Sequence, residues 1–180
     1  LEASGRARDL IRQLLAFSRR SEPQPEPLNL PDIAEQVLRM VRATLPSSIE
    51  IAREWPLEPL IVLADRVQLE QVLVNLCTNA AQAMAEGGRL ELRAELRRYG
   101  DEDALPAEIL PGDYAALIVI DSGEGMDAPT LERIFEPYYT TKDGGTGIGL
   151  AVVHGILRDH GGGILVDSVL GKGSRFEVLL

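Results

Sequence analysis

The sequence predicts an α/β two-layer sandwich, a mixed sheet of about five strands covered by three helices and preceded by a helix stub. Three observations predict it. Ala115 to Ile120 is an unbroken apolar run of the kind that forms a fully buried strand. Residues 89–98 alternate, with Leu90, Leu92, Ala94 and Leu96 on one side and Glu91, Arg93, Glu95 and Arg97 on the other, as in a half-exposed antiparallel strand. Two helical patterns, to about Ala85 and from Gly147 to His160, end at Gly87-Gly88 and Gly161-Gly162-Gly163.

In chain order, Ala3, Ala7, Leu10, Leu14 and Phe17 repeat at spacings of four and three, the seam of a coiled coil, with Ile11 and Leu15 widening it. Residues 1–22 are therefore expected to be the remnant of a helix belonging to another module. Pro23, Pro25 and Pro27 cannot continue it, so residues 23–30 read as an extended linker before a domain at 31–180. Pro31 opens a helix with Ile33, Val37, Met40 and Val41 on one face. Short strands are expected around Ile49–Arg53 and Leu60–Leu63. Asp65 with Gln68 then starts a helix whose broad buried face is Leu69, Val72, Leu73, Leu76, Cys77, Ala80, Ala83 and Met84. Asp101 to Gly112 reads as a polar loop, Tyr114–Ile120 as the central strand, and 122–146 as a long loop without periodicity. Ile164–Ser168 and Arg175–Leu180 form a terminal hairpin.

The 180 residues, 45% hydrophobic, suit one domain with an appendage. No apolar stretch approaches the roughly 18–20 residues that span a bilayer, and no signal-peptide pattern opens the chain. Because it begins at Leu1 rather than Met, it is expected to be a piece of a longer protein. A lone cysteine, Cys77, excludes an internal disulfide, fits a reducing compartment and reads as a small core residue. The net charge of −10 argues against nucleic-acid binding. Residues 1–22 carry five Arg against Glu2, Asp9 and Glu22, a balance of +2, so the remainder carries −12. An acidic domain that holds a polyphosphate needs a cation, a few basic side chains or a helix N-terminus to neutralise it locally.

Two glycine-rich segments point to such a ligand. Asp121-Ser122-Gly123-Glu124-Gly125-Met126 follows the buried strand, and Gly145-Thr146-Gly147-Ile148-Gly149-Leu150 opens a helix. A carboxylate at a strand end can accept from the exocyclic amine of adenine, with Gly123 and Gly125 leaving room for the flat base. Thr146 to Gly149 would wrap phosphates, since glycine admits close backbone approach and the helix presents its positive end. Asn75 and Asn79 lie one turn apart on one helix face, where two amide oxygens can coordinate a hard cation such as Mg²⁺ or bond neighbouring loop backbone. Lys142 would add a charge to the β- or γ-phosphate. The combination describes an ATP site.

The order of these segments resembles the catalytic, ATP-binding domain of two-component sensor histidine kinases. Gln71 to Ala80 is similar to that family's N box, Asp121 to Met126 to its first glycine box, and Phe135-Glu136-Pro137-Tyr138-Tyr139-Thr140-Thr141-Lys142 to its F box. Gly145 to Leu150 and Gly171 to Phe176 resemble the remaining glycine boxes, and residues 7–20 the second helix of the dimerisation and phosphotransfer domain. The resemblance implies a Bergerat ATP-binding fold with a flexible lid over the nucleotide. It places Asn75, Asn79, Asp121, Gly123, Gly125, Met126, Thr141, Lys142, Gly145, Thr146, Gly147, Ile148, Gly149 and Leu150 at ATP, with Asn79 and Asn75 on Mg²⁺.

The resemblance further implies transfer of the γ-phosphate to a histidine on a dimerisation helix that is absent here, then to an aspartate of a response-regulator receiver domain. The implied parent is a homodimer, membrane-anchored or not, with this domain in the cytoplasm. The only histidines are His154 and His160, on or just beyond the helix after the second glycine segment, and both read as structural, His160 through favourable charge near a helix C-terminus. Gyrase-like, chaperone and mismatch-repair ATPases share the fold but place a Glu four residues before the metal-binding Asn. Here that place is Asn75, an amide that cannot take a proton from water. A GHKL-type ATPase and a nucleotide-binding interaction module are the alternatives.

Overall fold

The computed structural model describes residues 24–103, 105–107, 109–142 and 145–180; the helix expected at 3–20 and Gly144 lie outside them. Strand β1 (Glu26–Asn29) leads directly into α1 (Leu30–Arg42), with Pro31 in the first turn. There follow β2 (Ile49–Glu54), β3 (Ile61–Ala64), α2 (Arg66–Ala83), β4 (Gly88–Tyr99) and β5 (Gly112–Asp121). A one-turn helix α3 (Ala128–Leu131), then α4 (Gly149–Asp159), β6 (Gly163–Val169) and β7 (Gly173–Leu179) complete the chain.

Five strands form a mixed sheet in the order β2-β4-β5-β7-β6, parallel only between β2 and β4. Helices α1, α2 and α4 cover one face, so the core is the layer between them. Its sheet side is Leu90, Leu92, Leu117, Val119, Phe176 and Val178; its helix side includes Ile33, Val37, Leu73, Leu76, Cys77, Val153 and Leu157. Burial at this depth pushes the Cys77 thiol up to about 12, so it behaves as an inert small hydrophobe. The opposite face is closed by ion pairs among Arg93, Glu91, Arg97, Glu177 and Arg175 and by a small cluster of Ile109, Ala116 and Leu179.

Three local expectations need correcting. Residues 26–29 are extended, as a linker would be, but they pair antiparallel with β3, Leu28 opposite Val62. Pro27 is tolerated because β1 has β3 on one side only. Met40 is half exposed: the buried face of α1 is Leu30, Ile33, Ala34, Val37, Leu38 and Val41, and Met40 falls beside that stripe. Leu96 is also exposed, since β4 runs to Tyr99, past the helix layer that covers Leu90, Leu92 and Ala94.

Helices α2 and α4 are antiparallel neighbours, which decides where the site falls. At one end, His160 Nε2 accepts from Asp65 N–H at 3.0 Å, so Nδ1 carries the proton and donates to Ile156 O at 2.8 Å. His160 is thus tied into the fold through both ring nitrogens. At the other end, Asn75 Nδ2 donates to Gly149 O at 3.3 Å, and the two helices part around a cleft.

Candidate functional site, an adenine nucleotide cleft

The cleft encloses about 700 Å³ between α2, the end of β5, the segment 124–149 and the β6–β7 turn. One turn after another of α2 faces it: Asn75, Thr78, Asn79 and Gln82, at spacings of three, one and three. Gln82 and Thr78 were findable from that periodicity once Asn75 and Asn79 were placed.

Asp121 is only 4% exposed at the end of β5. Its Oδ1 accepts from Gly123 N–H at 2.8 Å. Burial raises its carboxyl above the ordinary value, opposed by backbone donors of Gly123 and Ser174, by Lys142 and by the Ser174 hydroxyl. A buried carboxylate facing a cleft with acceptor capacity to spare is suited to an amine donor. Gly123 itself stands behind the lining, where a Cβ would lie 2.6 Å from Ala83 O. Gly125 has φ +65°, and a Cβ there would lie 2.1 Å from Val169 O. Backbone packing requires a glycine at both positions, and of the two only Gly125 lines the cleft.

At the other end of the cleft α4 begins at Gly149 without a side-chain cap. Gly149 and Leu150 of this first turn line the cleft, and the free N–H groups that open a helix suit phosphate oxygens. A Cβ on Gly149 would meet Asn75 Oδ1 at 3.7 Å and Asn79 Nδ2 at 3.9 Å, so this glycine leaves open the space between the amides and the helix end. Lys142 reaches across: Nζ donates to Asn79 O at 3.1 Å and Gln82 Oε1 at 3.3 Å. Its partial burial lowers the ammonium pKa, while Glu124 and Asp121 act the other way.

Met126, Thr141, Gly145, Thr146, Gly147 and Leu150 line the same cleft, and Ile148 does not. Ile134, Tyr139, Leu170, Ser174 and Phe176 join it. Leu170, at an exposed turn, carries no sequence signal. The loop between the glycine segments is not uniformly loose. Asp127 caps α3 through Thr130 N–H, Ile134 is buried, and Phe135 stacks on His154 with ring centroids 5.1 Å apart. The loop is therefore anchored to the domain as far as Phe135. Tyr138, at φ +69°, donates its N–H to Gly147 O at 2.9 Å, which ties the loop to the second glycine segment.

The lining carries Asp121, Glu124 and Asp127 against Lys142, a balance of −2. A polyphosphate entering it needs added positive charge. Among the described residues no group of three or more His, Cys, Asp or Glu is placed to hold a metal. The amide oxygens of Asn75 and Asn79 instead suit a hard cation that shares its shell with phosphate and water.

Comparisons with known proteins agree with this geometry. The profile of the family described as histidine kinase-, DNA gyrase B- and HSP90-like ATPase matches residues 64–180. Sensor kinase CckA of Brucella abortus is 42% identical over 98% of this chain and 19% of its own length. The signal transduction histidine-protein kinase AtoS of Escherichia coli is 34% identical over 95% of this chain and 26% of its own. The chain thus spans about a fifth to a quarter of these relatives. Among solved structures, the catalytic domain of histidine kinase ThkA superposes with a TM-score of 0.70 at 28% identity, covering 87% of this chain and 95% of that one. Full-length ShkA, in complex with AMPPNP, gives 0.76 at 28% identity, covering 98% and 36%. This chain belongs to the histidine kinase-, DNA gyrase B- and HSP90-like ATPase family and carries the ATP-binding catalytic domain of a sensor histidine kinase.

Proposed function

We propose that the domain holds Mg-ATP for transfer of its γ-phosphate to a histidine on a dimerisation domain, rather than for hydrolysis. The observation that carries this reading is the cleft face of α2. It presents two amides, a hydroxyl and a third amide, Asn75, Asn79, Thr78 and Gln82, and no group able to take a proton from water. Asn75 stands where the ATPases of the fold carry Glu, and its Nδ2 is bonded to Gly149 O. Asp121 accepts the adenine amine, the first turn of α4 and Lys142 receive the phosphates, and Asn79 with Asn75 places the cation. AMPPNP in the ShkA complex supports the nucleotide assignment. Bound Mg²⁺ supplies the neutralising charge that the acidic lining lacks.

Neither histidine of the chain is the acceptor. His160 is bonded through both ring nitrogens, and His154 lies on α4 against Phe135. The acceptor, the homodimer and the response-regulator receiver that takes the phosphate onward belong to the parent kinase, with this domain in the cytoplasm. No helix among the described residues is long and apolar enough to cross a membrane.

The test incubates the protein with labelled Mg-ATP, alone and with a separately supplied dimerisation domain. The expected result is slow or no ATP turnover, no label on the chain alone, and acid-labile, base-stable label on the supplied domain. Sustained turnover would make it an ATPase, absence of binding an interaction module, and label on His154 or His160 would overturn the acceptor assignment.

A further inference from the structure

Tyr138 and Tyr139 are neighbours in opposite surroundings. Tyr138 is 77% exposed, whereas Tyr139 is half-buried and lines the cleft. The backbone of Tyr139 packs on the second glycine segment, where a Cβ on Gly147 would lie 2.7 Å from both its N and its O. One face of its ring carries a cation: the guanidinium carbon of Arg133 stands 4.2 Å from the ring centroid.

Arg133 is itself fixed at both ends. Its N–H donates to Thr130 O at 2.9 Å, in the turn that Asp127 caps, and Ile134 beside it is buried. At the far end of the side chain, Nε and Nη2 each lie 3.0 Å from Glu136 Oε2. Glu136 O in turn accepts from Tyr139 N–H at 3.2 Å. A surface ion pair of this kind adds little to stability. Gripping the guanidinium along its Nε–Nη2 edge does, however, leave its flat face free to lie on a ring. A tyrosine free to leave the cleft would have to be ordered by each ligand at a cost in affinity, and a ring already held has met that cost.

We infer that Arg133, which does not line the cleft, is a positioning residue that holds Tyr139 as a fixed wall of it. This rests on the reading of the cleft as the Mg-ATP site.

A double-mutant cycle, read by calorimetric titration of Mg-ATP into the whole 180-residue protein, tests it. Arg133→Ala is expected to weaken Mg-ATP about two- to fivefold, the range of an exposed cation–π contact. Tyr139→Ala should weaken it more. In the Tyr139→Ala background, Arg133→Ala should cost less than about 1.5-fold, because no ring remains for the cation to hold. Loss of a positive charge acting only at a distance on the phosphates would instead weaken ATP equally in both backgrounds. Arg133→Lys keeps a cation able to lie over the ring and should bind within about twofold of the parent protein. Unchanged affinity in Arg133→Ala, an equal loss in both backgrounds, or a lysine variant no better than alanine would each overturn the inference. Should Tyr139→Ala not fold, Tyr139→Leu, apolar but without a ring face, takes its place in the cycle. Absence of Mg-ATP binding by the parent protein would defeat the cleft assignment itself. Undiminished binding by Tyr139→Ala would spare that assignment and remove only the role of Arg133.

Discussion

The two ends of the α2–α4 pair are built on opposite plans. At the closed end Asp65 is satisfied within the chain: Asp65 Oδ1 takes Gln68 N–H, Oδ2 takes Gln24 N–H, each at 3.0 Å, and Asp65 N–H goes to His160. Burial works against ionising Asp65, but the backbone donors of Gln24, Gln68 and Val67 hold its carboxyl below the usual value. At the open end α4 starts without a side-chain cap, beside Gly149 and the amides of α2. The closed end serves the fold, and the open end leaves its hydrogen bonds to a ligand. Substitutions at the two should therefore divide stability from binding.

The largest separation is expected at Asp121. Asp121→Asn puts an amide donor against the adenine amine and removes a charge-assisted bond, weakening Mg-ATP by about 1.5–3 kcal/mol in calorimetry. The same change should help the unliganded fold. A carboxyl whose folded pKa is raised loses stabilising free energy as pH climbs through the window between its unfolded and folded values, so at pH 7 the ionised group carries its burial cost. Tm without nucleotide should rise by about 2–4 °C at pH 7 and by less near pH 4. A fall in Tm at pH 7 would mean that Asp121 is held for the fold.

Next in size is Gly149→Ala. The added methyl meets nothing closer than 3.7 Å, and alanine favours the helix, so the free protein should be as stable or more so. The methyl enters the gap between the amides and the helix end, where intrusion of this kind costs about 1–3 kcal/mol of ATP affinity. Undiminished binding would show that the phosphates lie elsewhere. Asn79→Ala should take several-fold from affinity measured with Mg²⁺ and much less from affinity measured with chelator, a loss of about 1 kcal/mol at most from one neutral oxygen ligand. Equal loss in both conditions would make Asn79 scaffolding.

The elements legible in the sequence were those whose pattern is local. The run at Ala115–Ile120, the alternation of Leu90 to Ala94, the Asp65 cap and the Asn75–Asn79 face all report short-range rules, and they fixed the open end. What was not legible depends on partners distant in sequence. β1 is a strand because Val62, thirty-four residues after Leu28, is there to pair with it. Ile134 is buried inside a segment without periodicity because it packs into the core cluster built from residues distant in sequence. The link from Asp65 to His160 spans ninety-five residues and involves a ring whose tautomer only the packing settles.

Smallest for binding, and the counterpart to Gly149→Ala, is His160→Ala. It leaves Asp65 N–H without its acceptor and should lower stability by about 1–2 kcal/mol, or Tm by about 2–8 °C, read by thermal melting. ATP affinity at 15 °C should change less than twofold. Strong loss of binding without loss of stability would join the two ends into one unit.

The measurement that bears most directly on this division is an amide-resolved NMR titration of the protein with Mg-ATP. The account predicts large shifts at the N–H groups of Gly149, Leu150 and Ala151, with Gln68 and Leu69 at the closed end nearly still. Unmoved amides at 149–151 in a saturated complex would contradict it.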